Sequence, residues 1–265
     1  MTSYALKIVA MLTMLIDHCT SAFGWPQVGH VIGRIAFPLY AYMLVDSYQH
    51  VKNDESRLKR YLFDLAIMAI ISEFPYDFIR THSWISLSSQ NQILQFLVIV
   101  LALMTFDWLS GMTKDDDKGD LMFNIFFWIA VATINEVLSL GYGASGVVLV
   151  LLFRYYFNKH GGTSPSARLL SAIFVMSVYL MSKILLNYFP AYITLLERGL
   201  LPSTAQDVLL TSFMTTLGCH LAIPFLALHN GSYGNIARPV HIFYRWFYPL
   251  HLFVLAAILL FASML

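Results

Sequence analysis

Tyr4-Ala5-Leu6-Lys7-Ile8-Val9-Ala10-Met11-Leu12-Thr13-Met14-Leu15-Ile16-Asp17-His18-Cys19-Thr20-Ser21-Ala22 is the stretch on which the fold turns. It is apolar over nearly its whole length, and a helix of ~20 residues crosses a hydrocarbon core ~30 Å thick. A secretory leader has a shorter apolar core and a small-residue cleavage site. Here Asp17-His18 interrupts the end, and more runs of the same kind follow. The stretch therefore reads as the first transmembrane helix.

Eight further runs match it: Gly29–Tyr48, Tyr61–Ile79, Asn91–Trp108, Leu121–Leu138, Ala144–Phe157, Leu169–Phe189, Val208–Leu228 and Phe243–Ala262. The composition agrees. Of 265 residues 58% are hydrophobic and 12% charged, whereas soluble domains carry about 25% charged residues. The expected fold is all-α: one polytopic transmembrane bundle of about nine helices, residues 1–265, in contact with the lipid bilayer. Every loop is short, so chemistry has to happen within the bundle. A net charge of +1 gives no field for nucleic acid. Cys19 and Cys219 have neither metal-ligand nor redox spacing. The acidic run Asp115–Asp117 with Asp120 reads as a solvated loop, and no metal is expected.

The cations orient the chain. Lys52, Arg57, Lys59 and Arg60 fall in the second loop, Lys114 and Lys118 in the fourth, Arg154, Lys159 and Arg168 in the sixth, and Arg238 in the eighth, with Arg245 just beyond it. The odd loops hold little beyond Arg80 and Arg198. Lys and Arg concentrate in cytoplasmic loops, so the alternation predicts a cytoplasmic amino terminus.

Ionisable groups at membrane depth cost at least ~2.5–3.5 kcal/mol each. By this topology most of them lie in the outer half: Asp17 and His18, Arg34, Glu73 and Asp77 four residues apart on one helix face, Asn91 with Gln92 and Gln95, Asn135 and Glu136, and Lys183. Pro75, between the two acids, is expected to kink or stop its helix. Taken singly, each residue reads first as a member of a structural ion-pair network; taken together, they read as a polar cavity. His18 is the member able to exchange protons near neutrality. A second polar group, expected on the cytoplasmic side, runs from His229-Asn230-Gly231 to Arg238 and Arg245. Its glycines and arginines suit an anion, and its bland reading is a basic turn. Tyr248 and His251 follow in the last helix, where His251 is expected to pair with another helix or line the cavity.

These segments resemble the TraX family, named for the membrane protein that acetylates the amino terminus of conjugative pilin. The resemblance runs through Leu6-Lys7, Ile16-Asp17-His18, Gly33-Arg34-Ile35-Ala36-Phe37-Pro38-Leu39, Ser72-Glu73-Phe74-Pro75-Tyr76-Asp77, Tyr142-Gly143-Ala144-Ser145-Gly146, Asn230-Gly231 and Phe247-Tyr248-Pro249-Leu250-His251. It departs at His229 and around Gln92. A wider likeness joins it to the transmembrane acyltransferases, including the acyltransferase-3 group and heparan-alpha-glucosaminide N-acetyltransferase. What the resemblance implies is an enzyme of the bacterial inner membrane. It would move an acetyl group from cytoplasmic acetyl-CoA to an extracytoplasmic acceptor: a pilin or peptide amine, a glycan or a lipid headgroup. His18 is then the candidate catalytic residue, with Asp17 or Glu73 orienting it. Arg34, Asp77, Asn91, Asn135 and Lys183 are candidates to bind substrate or steady an oxyanion. Asn230, Gly231, Arg238, Arg245, Tyr248 and His251 are candidates to hold the acyl-CoA. The competing readings are an ion-coupled transporter or channel using the outer charges, and a pilus-assembly membrane protein without catalysis.

Overall fold

The structure is a computed structural model and describes residues 1–112, 117–160, 164–199, 202–234 and 238–264. Lys114, Asp115 and Asp116 lie outside the described residues, as does Asn235. Among the described residues the chain forms nine helices and no strand: α1 Ser3–Phe23, α2 Val28–Val51, α3 Glu55–Thr81, α4 Gln92–Met112, α5 Asp117–Val137, α6 143–160, α7 Pro165–Glu197, α8 202–228 and α9 Arg238–Ala262. The predicted all-helical bundle is found. Its starts differ most at α3 and α8, where Glu55 and Pro202 open the helices six residues before the expected Tyr61 and Val208; proline suits a first helical position.

Six helices contain a stretch long and apolar enough to cross a membrane: α1, α2, α4, α7, α8 and α9. The apolar part of α5, Leu121–Val137, is shorter. Asp64, Glu73 and Asp77 interrupt α3. Apolar side chains also cover the outside. Leu121, Ile125, Phe126 and Ile129 are exposed on α5, as are Leu170, Ile173 and Phe174 on α7. Helices apolar on both faces belong in lipid, and the chain is a multi-pass membrane protein.

Local chemistry shapes individual helices. The helical run of α2 is interrupted at Arg34 and Ile35. Pro38 lacks an N–H, and its ring crowds the carbonyl four residues back, at Arg34. Pro75, by contrast, neither stops α3 nor lies at its end: the helix runs on to Thr81. This corrects the expectation of a stop there. Tertiary packing holds the turn, since Pro75, Asp77, Phe78 and Ile79 are buried. Helices α6 and α7 each contain one wide π-turn, at Phe153–Phe157 and Ile184–Tyr188.

The chain divides into two compact units. One is residues 1–43 with 148–265; the other is 44–147. In the first, Leu6, Ala10, Leu39, Val175, Met176, Tyr179 and Leu226 are fully buried. In the second, Val45, Ile99, Val100 and Leu103 are fully buried, and Tyr48 donates a 2.9 Å hydrogen bond to Asp107. The first unit relies on glycine for close approach. A Cβ on Gly218 of α8 would overlap the backbone oxygen of Val31 on α2. Backbone cannot swing aside as a side chain can, so Gly218→Ala should destabilise by about 1–3 kcal/mol, read as a lower melting temperature in detergent. An unchanged melting temperature would show that α8 has room to shift.

Candidate functional site

In the 1–43/148–265 unit two imidazoles meet. Nδ1 of His18, near the end of α1, lies 2.7 Å from Nε2 of His251 on α9. The two rings are within 9° of parallel, with centroids 5.0 Å apart. Since the centroids are farther apart than the nitrogens by about two ring radii, the imidazoles lie edge to edge in nearly one plane, as a ring-to-ring hydrogen bond requires. The other nitrogen of His251, Nδ1, lies 2.8 Å from the Phe247 carbonyl one turn back. A carbonyl can only accept, so Nδ1 of His251 carries a proton. In the neutral pair its Nε2 is therefore an acceptor, and His18 donates from Nδ1. Nε2 of His18 is left with the lone pair. Tyr248 packs edge-on against both rings. Tyr248 and His251, expected among the groups holding acyl-CoA, thus pack against His18.

Asp17, expected to orient His18, has a partner on α2. Its Oδ1 lies 2.9 Å from Nδ1 of His30, in the first turn of α2. Gly33 permits this approach, because a Cβ there would overlap the Asp17 side chain. Asp17, Arg34 and Lys183 also lie within electrostatic reach of the buried thiol of Cys219 on α8. Three of the predicted outer-layer charges are therefore neighbours, with Tyr188 of α7 also near Arg34.

Asn230 and Gly231 lie at the Met1 end of the same unit. The Asn230 N–H donates to the Met1 carbonyl at 3.0 Å, and Ser3 N donates to the Ser232 carbonyl at 2.9 Å. The Asn230 side-chain oxygen accepts from both the backbone N–H and the hydroxyl of Ser232. Gly231 and Gly234 have φ of 72° and 83°, which favours glycine. The amides of Asn230 and Ser232 are thus engaged by the chain itself. Lys7 and Arg245 bring two positive charges within electrostatic reach of each other. Arg238 opens α9, but its side chain lies outside what is described. Along α1, Lys7 and His18 are separated by about 16 Å of helical rise.

In the 44–147 unit the predicted polar residues fasten helix ends and loops. Asn91 caps α4, its Oδ1 accepting from Ile93 N and Leu94 N at 2.9 and 3.0 Å. Its own backbone N–H and side-chain amide both donate to Glu73. Asp77 accepts from Ser86 N at 2.6 Å. Glu136 accepts from Ala144 N at 2.9 Å, at the start of α6. Gln95, fully buried, donates to the Gly143 carbonyl and to Asn135, and accepts from Tyr142 N and Gln92.

The sequence gives no role to Lys7 or His30, and places Gln95 only as one member of the outer polar layer. Each carried a signal: His30 lies one helical turn before Arg34, Lys7 one turn into the first helix, and Gln95 is an amide in an apolar run. Among the described residues no three His, Cys, Asp or Glu side chains gather so as to hold a metal ion. No curated protein and no solved structure matches the chain. A family model does: the one described as TraX protein matches residues 3–259, nearly the whole length, and the chain belongs to the TraX family.

Proposed function

We propose that this protein is an inner-membrane acetyltransferase. It moves an acetyl group from cytoplasmic acetyl-CoA to an amine or hydroxyl on the extracytoplasmic side, a pilin or peptide amino terminus being the favoured acceptor. The observation that carries the proposal is the His18–His251 pair. A backbone carbonyl fixes one ring, that ring fixes the next, and His18 is left with a basic Nε2. Such a nitrogen can take the proton of an attacking amine while Nδ1–H stays bonded to His251. The acceptor nitrogen bonds to the thioester carbonyl carbon, the carbon–sulfur bond breaks, and the proton passes from His18 to the departing sulfur.

Family membership and the distribution of cations support the rest. Lys7 and Arg245 suit the phosphates of CoA at the Met1 end. The ~16 Å of α1 between Lys7 and His18 is about half the hydrocarbon core, a span for the pantetheine arm. Charge-assisted contacts contribute about 1.5–3 kcal/mol each, so Lys7→Ala or Arg245→Ala should raise KM for acetyl-CoA by about ten- to hundredfold with kcat little changed. Steady-state kinetics at varied donor concentration checks this.

The direct test uses proteoliposomes with acetyl-CoA on one face and a peptide amine on the other. Acetylated peptide and free CoA should appear together and depend on protein. Ion flux without acetyl transfer would put a transporter in place of the enzyme; neither activity would favour a non-catalytic assembly role.

A further inference from the structure

The acyl-transfer scheme leaves one proton-handling pair unused. Nδ1 of His30 and Oδ1 of Asp17 are 2.9 Å apart. A carboxylate only accepts, so Nδ1 carries the proton and neutral His30 presents its lone pair on Nε2. The pair is accessible: the His30 side chain is 25% exposed and that of Asp17 21%. It is also built into the packing. Gly29 and Gly33 lie one turn apart on α2, and a Cβ on either would overlap α1, at Thr20 and Asp17 respectively. His30 sits between them. Asp17 directly precedes His18, so the two imidazole pairs occupy neighbouring faces of one turn, about 100° apart. A part-exposed pair of this kind contributes little to stability, which leaves its proton chemistry as what distinguishes it.

We propose that Asp17–His30 removes the first proton from an ammonium acceptor, so that His18 meets a neutral amine; the proposal rests on the acyl-transfer reading above. An amine acceptor has two protons to lose on becoming an amide. At pH 7 only roughly one α-amine in ten is neutral, since its pKa is about 7.7–8.0. The ammonium gives a proton to Nε2 of His30, the electron pair stays on nitrogen, and Asp17 holds the resulting imidazolium. The neutral amine attacks the thioester carbon, the N–C bond forms and the C–S bond breaks. Its second proton goes to His18 and on to sulfur, yielding the thiol. His30 returns its proton to water. His30 is thereby a catalytic residue and Asp17 its positioning residue.

Acceptor basicity tests this. Trialanine, largely an ammonium at pH 7, is compared with hydroxylamine, whose nitrogen is already mostly unprotonated there. Proteoliposomes carry wild-type protein, His30→Gln, Asp17→Asn or Asp17→Glu. In His30→Gln, kcat/KM for trialanine should fall about tenfold, the share of neutral amine in solution, while that for hydroxylamine stays within about twofold. Asp17→Asn should show the same split and Asp17→Glu should restore trialanine. Equal losses on both acceptors, or none on either, overturn the proposal and leave acyl transfer standing. Wild-type protein that acetylates neither acceptor overturns both.

Discussion

His18→Ala should lower acetyl transfer by about 10²–10⁴-fold, the range contributed by a positioned general base, while the melting temperature in detergent barely moves. The side chain is only partly buried, so its removal leaves no large cavity. What it removes is the one nitrogen whose lone pair the His251 contact and the Phe247 carbonyl together define. His251 separates this from a simple packing effect. His251→Gln retains a carbonyl oxygen able to accept from His18 Nδ1, and His251→Phe does not. The glutamine variant should therefore keep more activity than the phenylalanine one, with about 10–100-fold between wild type and His251→Phe, as for other groups that orient an imidazole. Full turnover in His18→Ala would remove the residue from the chemistry, and equal losses in the two His251 variants would remove the relay.

The helices were legible because lipid offers no partner to a bare backbone. Each span must close its own hydrogen bonds, and so must be long, apolar and helical. The runs from Tyr4, Gly29, Asn91, Leu169 and Phe243 satisfy that requirement in sequence alone. Pairings were less legible, for geometric reasons. Adjacent helical residues diverge by about 100°, so Asp17 turns to His30 while His18 turns to His251. Glu73 and Asp77 do share a face. Their carboxylates nonetheless serve the segment that follows α3, at Asn91 and Ser86, because backbone amides left unpaired in a loop or before a helix start compete strongly for nearby oxygens. His251 reads in sequence as a residue to pair across helices or line the cavity, but its register against His18 depends on how α9 lies on α1. No spacing within either helix encodes that.

Gln95→Leu should produce the opposite signature to His18→Ala: a large loss of stability. Leucine is near glutamine in size and suits a membrane helix, so composition alone predicts a neutral or favourable change. The hydrogen bonds say otherwise. Gln95 Nε2 donates to the Gly143 carbonyl at 2.9 Å and to Asn135 at 3.3 Å, and its Oε1 accepts from Tyr142 N at 2.9 Å and Gln92 at 2.8 Å. The amide thus ties α4 to the turn between α5 and α6. Gly141 and Gly146 lie so close that a Cβ on either would crowd it, and Gly141 has φ of 42°. The substitution strips Tyr142 N–H and the Gly143 carbonyl of this partner, at about 1–3 kcal/mol for each buried group left unsatisfied. A loss of several kcal/mol should appear as a fall in melting temperature or detergent resistance. Gln95→Glu is the control for shape: it keeps the acceptor and loses the donor, so it should fall between wild type and leucine. If Gln95→Leu melts like wild type, the α5–α6 turn is held by something other than this amide. If it melts low yet the surviving folded fraction transfers acetyl at the normal rate, then the polar residues of the 44–147 unit serve architecture and those around His18 serve chemistry. In sequence, Asn91, Gln95, Asn135 and Glu136 had stood with Asp17 and His18 in one undivided layer.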